Sequence, residues 1–234
     1  MNTINKIISS ILEEDNKPRK YSALFIPRRV KDRLEQFKTI LQQEHIDGDL
    51  DLSNLPITDL GNLKSITGDL ILKYTIITSL GSLESVGGNL ILSNTPVTSL
   101  GSLKSVGGDL ILYNIPLTNL GSLKQVKGDL FLWKTHIKSL GSLESVGGCL
   151  DLRRTSVTSL GSLKSVGGNL HLDSVPITSL GSLRSVHGWL NLRNTSITNL
   201  GSLKSVGKIV INRNSKLDID NLPEHLKNKV HFES

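Results

Sequence analysis

Apolar residues in this chain return with a fixed period. From Gly48 to Gly207 the sequence repeats every 20 residues, eight times, with no insertion or deletion. The first unit reads GDLDLSNLPITDLGNLKSIT and the third GNLILSNTPVTSLGSLKSVG. Stacked, the units give G-x-L-x-L-x-x-x-x-I-T-x-L-G-x-L-x-S-V-x. Leu50 and Leu52 recur as Leu70/Leu72 and onward to Leu190/Leu192. Two apolar positions around one variable residue predict a strand with one buried face. Ile57, Leu60, Leu63 and Ile66 follow, and their spacing predicts a bent, 3₁₀-like return segment rather than an α-helix. Gly61 and its equivalents through Gly201 predict a tight backbone turn. A 20-residue unit cannot bury its apolar face alone. Stacked units can, so the fold class is a repeat solenoid with a parallel β-sheet of eight coils, strands about 4.8 Å apart.

The ends depart from the repeat. In residues 1–47, Ile4, Ile7, Ile8, Ile11 and Leu12 fall at helical spacing, with Thr3 as an N-cap. A second helix is expected from near Pro27, with Val30, Leu34, Phe37, Ile40 and Leu41 on one face. This leader reads as a helical N-terminal cap over the first coil, because open strand edges invite aggregation. Its basic residues Lys17, Arg19, Lys20, Arg28, Arg29, Lys31 and Arg33 form an alternative phosphate-contacting patch, weakened by interleaved Asp32, Glu35 and Glu44. Residues 208–234 keep a degenerate strand at Lys208–Ile211 and a short helix near Pro223, the expected form of a C-terminal cap.

The strand portion, as in Leu90-Ile91-Leu92-Ser93-Asn94-Thr95, resembles the L-x-L-x-x-N of the leucine-rich-repeat family in a short 20-residue form. The phrasing is similar to receptor L-domain arrays and to repeat proteins of large tailed bacteriophages. The resemblance covers residues 48–207. It implies a binding scaffold rather than an enzyme, and its phage-like side implies a host-directed or virion-associated interaction protein.

Composition narrows the classes. One alanine (Ala23) argues against a helical bundle, and one cysteine (Cys149) excludes an internal disulfide. No apolar run reaches about 18 residues, so no membrane partner is expected. The first 15 residues lack signal-peptide features, and a cytoplasmic, reducing compartment is the expectation. The histidines fall in different columns, without H-E-x-x-H or C-x-x-C spacing, and neither a metal nor another cofactor is expected. The Gly-Gly pairs and the serine column Ser65 to Ser205 recur with the repeat. They read as coil corners and a hydroxyl ladder at a turn, not as phosphate or nucleophile sites.

Chemistry is therefore sought where units differ. The column between the strand leucines reads Asp51, Ile71, Ile91, Ile111, Phe131, Asp151, His171, Asn191. With the leucines inward, this column points outward. On the same face lie Tyr113, Trp133, Arg153, Asp173 and Arg193, and beside them Lys134 and Arg154. Coils two to five thus present Ile71, Ile91, Ile111, Tyr113, Phe131 and Trp133. Coils six to eight present Arg153, Arg154, His171, Asp173 and Arg193. Exposed apolar surface with aromatic and arginine anchors marks a protein-binding face. Self-assembly through that face is one alternative, with copies of the chain as partner. Nucleic-acid binding is another, through the leader and the stripe Lys64, Glu84, Lys104, Lys124, Glu144, Lys164, Arg184, Lys204, favoured by a net charge of +6.

Overall fold

The computed structural model describes Phe37 and residues 39–233. Both expected leader helices and the basic leader patch lie outside the described residues, except for the leader's end. There Phe37 and Leu41 are buried in the apolar core together with Ile46 of the first ladder strand.

The chain winds as a parallel solenoid in which residue i pairs with residue i+20 through the repeat, the offset changing only in the last coils. One ladder is built from the leucine strands: Leu50 aligns with Leu70, Leu70 with Leu90, and so on to Leu170 with Leu190. Beyond the eight units it continues through Ile209 to Val230. The leucine pairs point inward and are fully buried, as are Leu60, Leu63 and Ile66 with their equivalents. The core is one continuous cluster along the stack. Its regularity follows from the sequence, since each coil offers the same apolar side chains at the same height to the coils on either side.

The return segment differs from expectation. It carries a second two-residue strand, Ser65–Ile66 and its equivalents, which forms its own parallel ladder from His45–Ile46 to Ser205–Val206. The serine column therefore lies in a strand, not at a turn. Single i→i+3 turns, such as Leu63 N–H to Leu60 O at 3.2 Å, supply the bends. The Ser-Val pair is a period-2 signal, but too short to register when its partner lies a whole repeat away. In the last coils the strands lengthen to Ser185–Asn191 and Ser205–Ile211, with a register shift between Val186 and Trp189. A short helix, Glu224–Lys227, follows with Pro223 at its N-cap, and Val230–Phe232 closes the sheet.

Two corners hold the coils at their spacing. Gly61 and its equivalents adopt φ near +58°, the left-handed region that glycine enters freely. At the other corner the residue after glycine builds a ladder of its own. Asp49 Oδ1 accepts the N–H of Asp69 (2.8 Å), Asp69 that of Asn89 (2.6 Å), Asn89 that of Asp109 (2.7 Å), and Asp109 that of Asp129 (2.7 Å). Asp129 accepts from Cys149 (2.6 Å), and Asn169 from Trp189 (2.8 Å). Each acceptor satisfies a backbone donor that the corner geometry leaves without a carbonyl partner. No helix among the described residues is long and apolar enough to cross a membrane.

Candidate functional site

The outward strand column is more covered than its alternation implies. Ile71, Ile91, Ile111, Phe131 and His171 are half-buried, because the coils above and below lie within side-chain reach. Asp51, Asp151 and Asn191 in the same column are buried outright. Each is satisfied by the N–H two residues on: Ser53 to Asp51 (2.8 Å), Arg153 to Asp151 (3.0 Å) and Arg193 to Asn191 (3.1 Å). A side chain that folds back on its own backbone in this way costs little to bury.

Trp133 is the centre of the variable face and remains 37% exposed. Phe131 and Tyr113 meet it edge to face, with ring centroids 6.1 and 6.5 Å away. The Arg153 guanidinium lies over its ring at 5.3 Å. These contacts fix the indole in place, since aromatic edges and cations are both attracted to ring faces. Arg153 is itself anchored. Its Nε reaches both Asp151 carboxylate oxygens at 3.0 Å, and Nη2 reaches Oδ2 at 2.5 Å. Burial acts to raise the Asp151 carboxyl, which is only 2% exposed. Hydrogen bonds from the Arg153 side chain and N–H, and from the Trp133 indole, overcome that and hold it below the ordinary carboxylate range. Arg153 is thus spent on positioning the tryptophan, a role that its place in an outward column does not announce.

Beside this cluster the face opens into a groove of about 770 Å³, lined by Tyr113, Trp133, Lys134, Arg153, Arg154, Asp173 and Ser174. Lys134 Nζ lies 3.3 Å from the Tyr113 hydroxyl and 5.4 Å from its ring centroid. Asp173 accepts a hydrogen bond from Asn191 Nδ2 at 3.1 Å. Arg193 lies outside the groove and pairs with Glu233 at 3.5 Å. The structure therefore gathers Tyr113, Phe131, Trp133, Lys134, Arg153, Arg154 and Asp173 into one site. Ile71, Ile91 and Ile111 form a half-buried row leading to it.

Sequence reasoning passed over one feature of the column that holds Lys134 and Arg154. All eight of its residues, from Asn54 to Asn194, have φ between 55° and 61°. Four are asparagine, the non-glycine residue that best tolerates this region, and that enrichment was the available signal. Exposed Tyr74, Ile76, Trp189 and Phe232 were likewise outside the expected site. Trp189 packs under Lys208, whose Nζ lies 4.6 Å from the ring centroid.

The charged stripe on the other side of the coil is largely self-neutralised. Lys64 pairs with Glu44 (2.9 Å), Lys104 with Glu84 (2.7 Å) and Lys164 with Glu144 (2.6 Å). Side-chain hydrogen bonds from these lysines hold all three glutamates below their ordinary range. Lys124, Arg184 and Lys204 have no such partner among the described residues; Arg184 and Lys204 are neighbours in adjacent coils, and Lys124 stands apart from them. No family model matches the chain, and neither a curated protein nor a solved structure matches it.

Proposed function

We propose that this chain is a non-catalytic, leucine-rich-repeat-type scaffold that takes a protein partner across its variable strand face. The observation that carries the reading is the immobilised, exposed Trp133. Phe131, Tyr113 and Arg153 hold it in one orientation on a surface that otherwise repeats. Tryptophan, tyrosine and arginine are the residues most often found as binding hot spots. An anchor held rigid before binding loses little freedom on contact. The repeat's likeness to phage arrays favours a host-directed or virion-associated partner, and the lone cysteine accords with a cytoplasmic setting.

Single-stranded nucleic acid is the second reading, because Lys134, Arg153 and Arg154 stand beside Tyr113 and Trp133, the combination such grooves use. It is the weaker one. Arg153 is committed to Asp151, and the glutamate pairs interrupt the stripe behind.

The test is retention from native lysate by the wild type beside a Trp133→Asp variant whose circular dichroism matches it. A protein held through moderate salt by the wild type and lost by the variant supports the strand-face reading. Equal retention by both overturns it. Salt-sensitive nucleic acid lost by the variant favours the second reading, and a mass in light scattering that rises with concentration favours self-assembly.

A further inference from the structure

We propose that the groove beside Trp133 seats an acidic peptide segment of the partner, with its carboxylates held by Lys134 and Arg154 and an apolar neighbour packed beside the part of the indole that Arg153 leaves exposed. This rests on the strand-face reading above and names the chemistry that the face recognises.

The backbone provides the first argument. Lys134 and Arg154 sit at φ 55° and 59°, in a column where the left-handed conformation is forced by the turn after each leucine strand. Asparagine suits that conformation and also bonds along the column, as Asn114 Nδ2 does to Asn94 Oδ1 at 2.8 Å. Lysine and arginine forgo both advantages, since a long side chain gains nothing locally from this region. Strained positions of this kind cluster at binding sites, where the side chain serves a ligand rather than the fold. Here the two long cations replace asparagine in adjacent coils, and both border the same groove.

Charge provides the second. Neither Lys134 nor Arg154 meets a carboxylate among the described residues, whereas Arg153 is paired with Asp151 and Arg193 with Glu233. The one acid in the groove, Asp173, is tied to Asn191. Lys134 and Arg154 form no ion pair with Asp173 and outnumber it, so the groove keeps a net positive charge over a volume typical of ligand clefts, about 300–1,000 Å³. Like-charge repulsion excludes a basic segment, and a wholly apolar one would leave both cations without a partner as water is displaced. A nucleic acid would supply anions too, but it also needs free ring faces for its bases. The Arg153 guanidinium lies over the Trp133 ring and the Lys134 ammonium over that of Tyr113.

The experiment uses the full chain and an array of 12-residue peptides of acidic, neutral and basic composition, each with one leucine and one phenylalanine. A labelled oligo(dT) is measured alongside by anisotropy. The variants are Lys134→Asn/Arg154→Asn, which restores the column's own residue and so keeps the fold, and Trp133→Asp. Lys124→Asn/Arg184→Asn on the opposite stripe controls for net charge. Acidic peptides are expected to bind the wild type best. Their affinity should fall at least tenfold in Lys134→Asn/Arg154→Asn and change less than twofold in the control. If the two double variants weaken binding equally, attraction is a matter of net charge and the proposal is wrong. If neutral or basic peptides bind best and only Trp133→Asp abolishes them, the acidic chemistry falls while the strand face stands. If no peptide binds, or only oligo(dT) does, both readings fall together.

Discussion

Cys149 Sγ accepts the backbone N–H of Asn169 one coil away, at 3.3 Å. Above and below it the same task is done by carboxylate or amide oxygens at 2.6 to 2.8 Å. Sulfur is a weak acceptor, so Cys149 is the soft rung of this ladder. Cys149→Asn is expected to stabilise the protein by about 0.5–1.5 kcal/mol, read as a higher urea midpoint at unchanged slope. The asparagine can also donate to Asp129, as Asn89 Nδ2 does to Asp69 at 3.2 Å. A midpoint equal to or below the wild type would mean that the ladder adds nothing beyond the backbone pairing.

At the adjoining corner the constraint is space. An alanine at 107 would place its Cβ inside van der Waals contact of the Gly87 carbonyl oxygen, a backbone atom between the bonded Val86 and Gly88 carbonyls. At Gly81, φ is +57° but nothing lies within 4 Å of an added Cβ. Gly81→Ala is expected to cost about 1–2 kcal/mol from its backbone conformation alone. Gly107→Ala should cost clearly more, because two backbones must move apart. Thermal unfolding of the pair, run side by side, gives the comparison.

Lys134→Asn and Arg154→Asn should each raise stability, by about 0.5–1 kcal/mol, through relief of the left-handed backbone. Tyr74→Asn, at the same column with φ 57°, serves as the reference. Stability that falls instead would show that the long side chains support the fold rather than a ligand.

The Asp151–Arg153 pair has a defined acid limb. The folded carboxyl titrates below its unfolded value, about 3.8, so the unfolded chain takes up the proton first as pH falls. The pair's contribution is therefore complete above about pH 3.8 and is lost as the pH drops through the folded value. Asp151→Asn is expected to lose about 1–2 kcal/mol at neutral pH, toward the low side because the Arg153 side chain is 42% exposed. The gap between variant and wild type should close below pH 3.8. Urea midpoints across pH 2.5–7 test this, and a gap that persists at the acid end would assign the loss to packing.

The amino-acid pattern alone determined that the chain is a solenoid, where its coils begin, and which leucines and isoleucines fill the core. Leu50, Leu52, Leu60 and Leu63 recur at one spacing in every unit, and burying identical apolar columns leaves few other arrangements. Trp133 and its neighbours also stood out, as departures from a strict repeat. What needed the tertiary structure were relationships between residues twenty apart, whose energies depend on how one coil is set above another. Ser65 joins a strand only because His45 and Ser85 lie on either side of it. Asp129 and Cys149 bond only because the glycine corners let their backbones approach. The direction of a long side chain is likewise decided by what it meets. Arg153 turns to a buried carboxylate, whereas Lys134 and Arg154 beside it meet none among the described residues. Structural and available charge therefore stand side by side on one face, a distinction set by the three-dimensional neighbours.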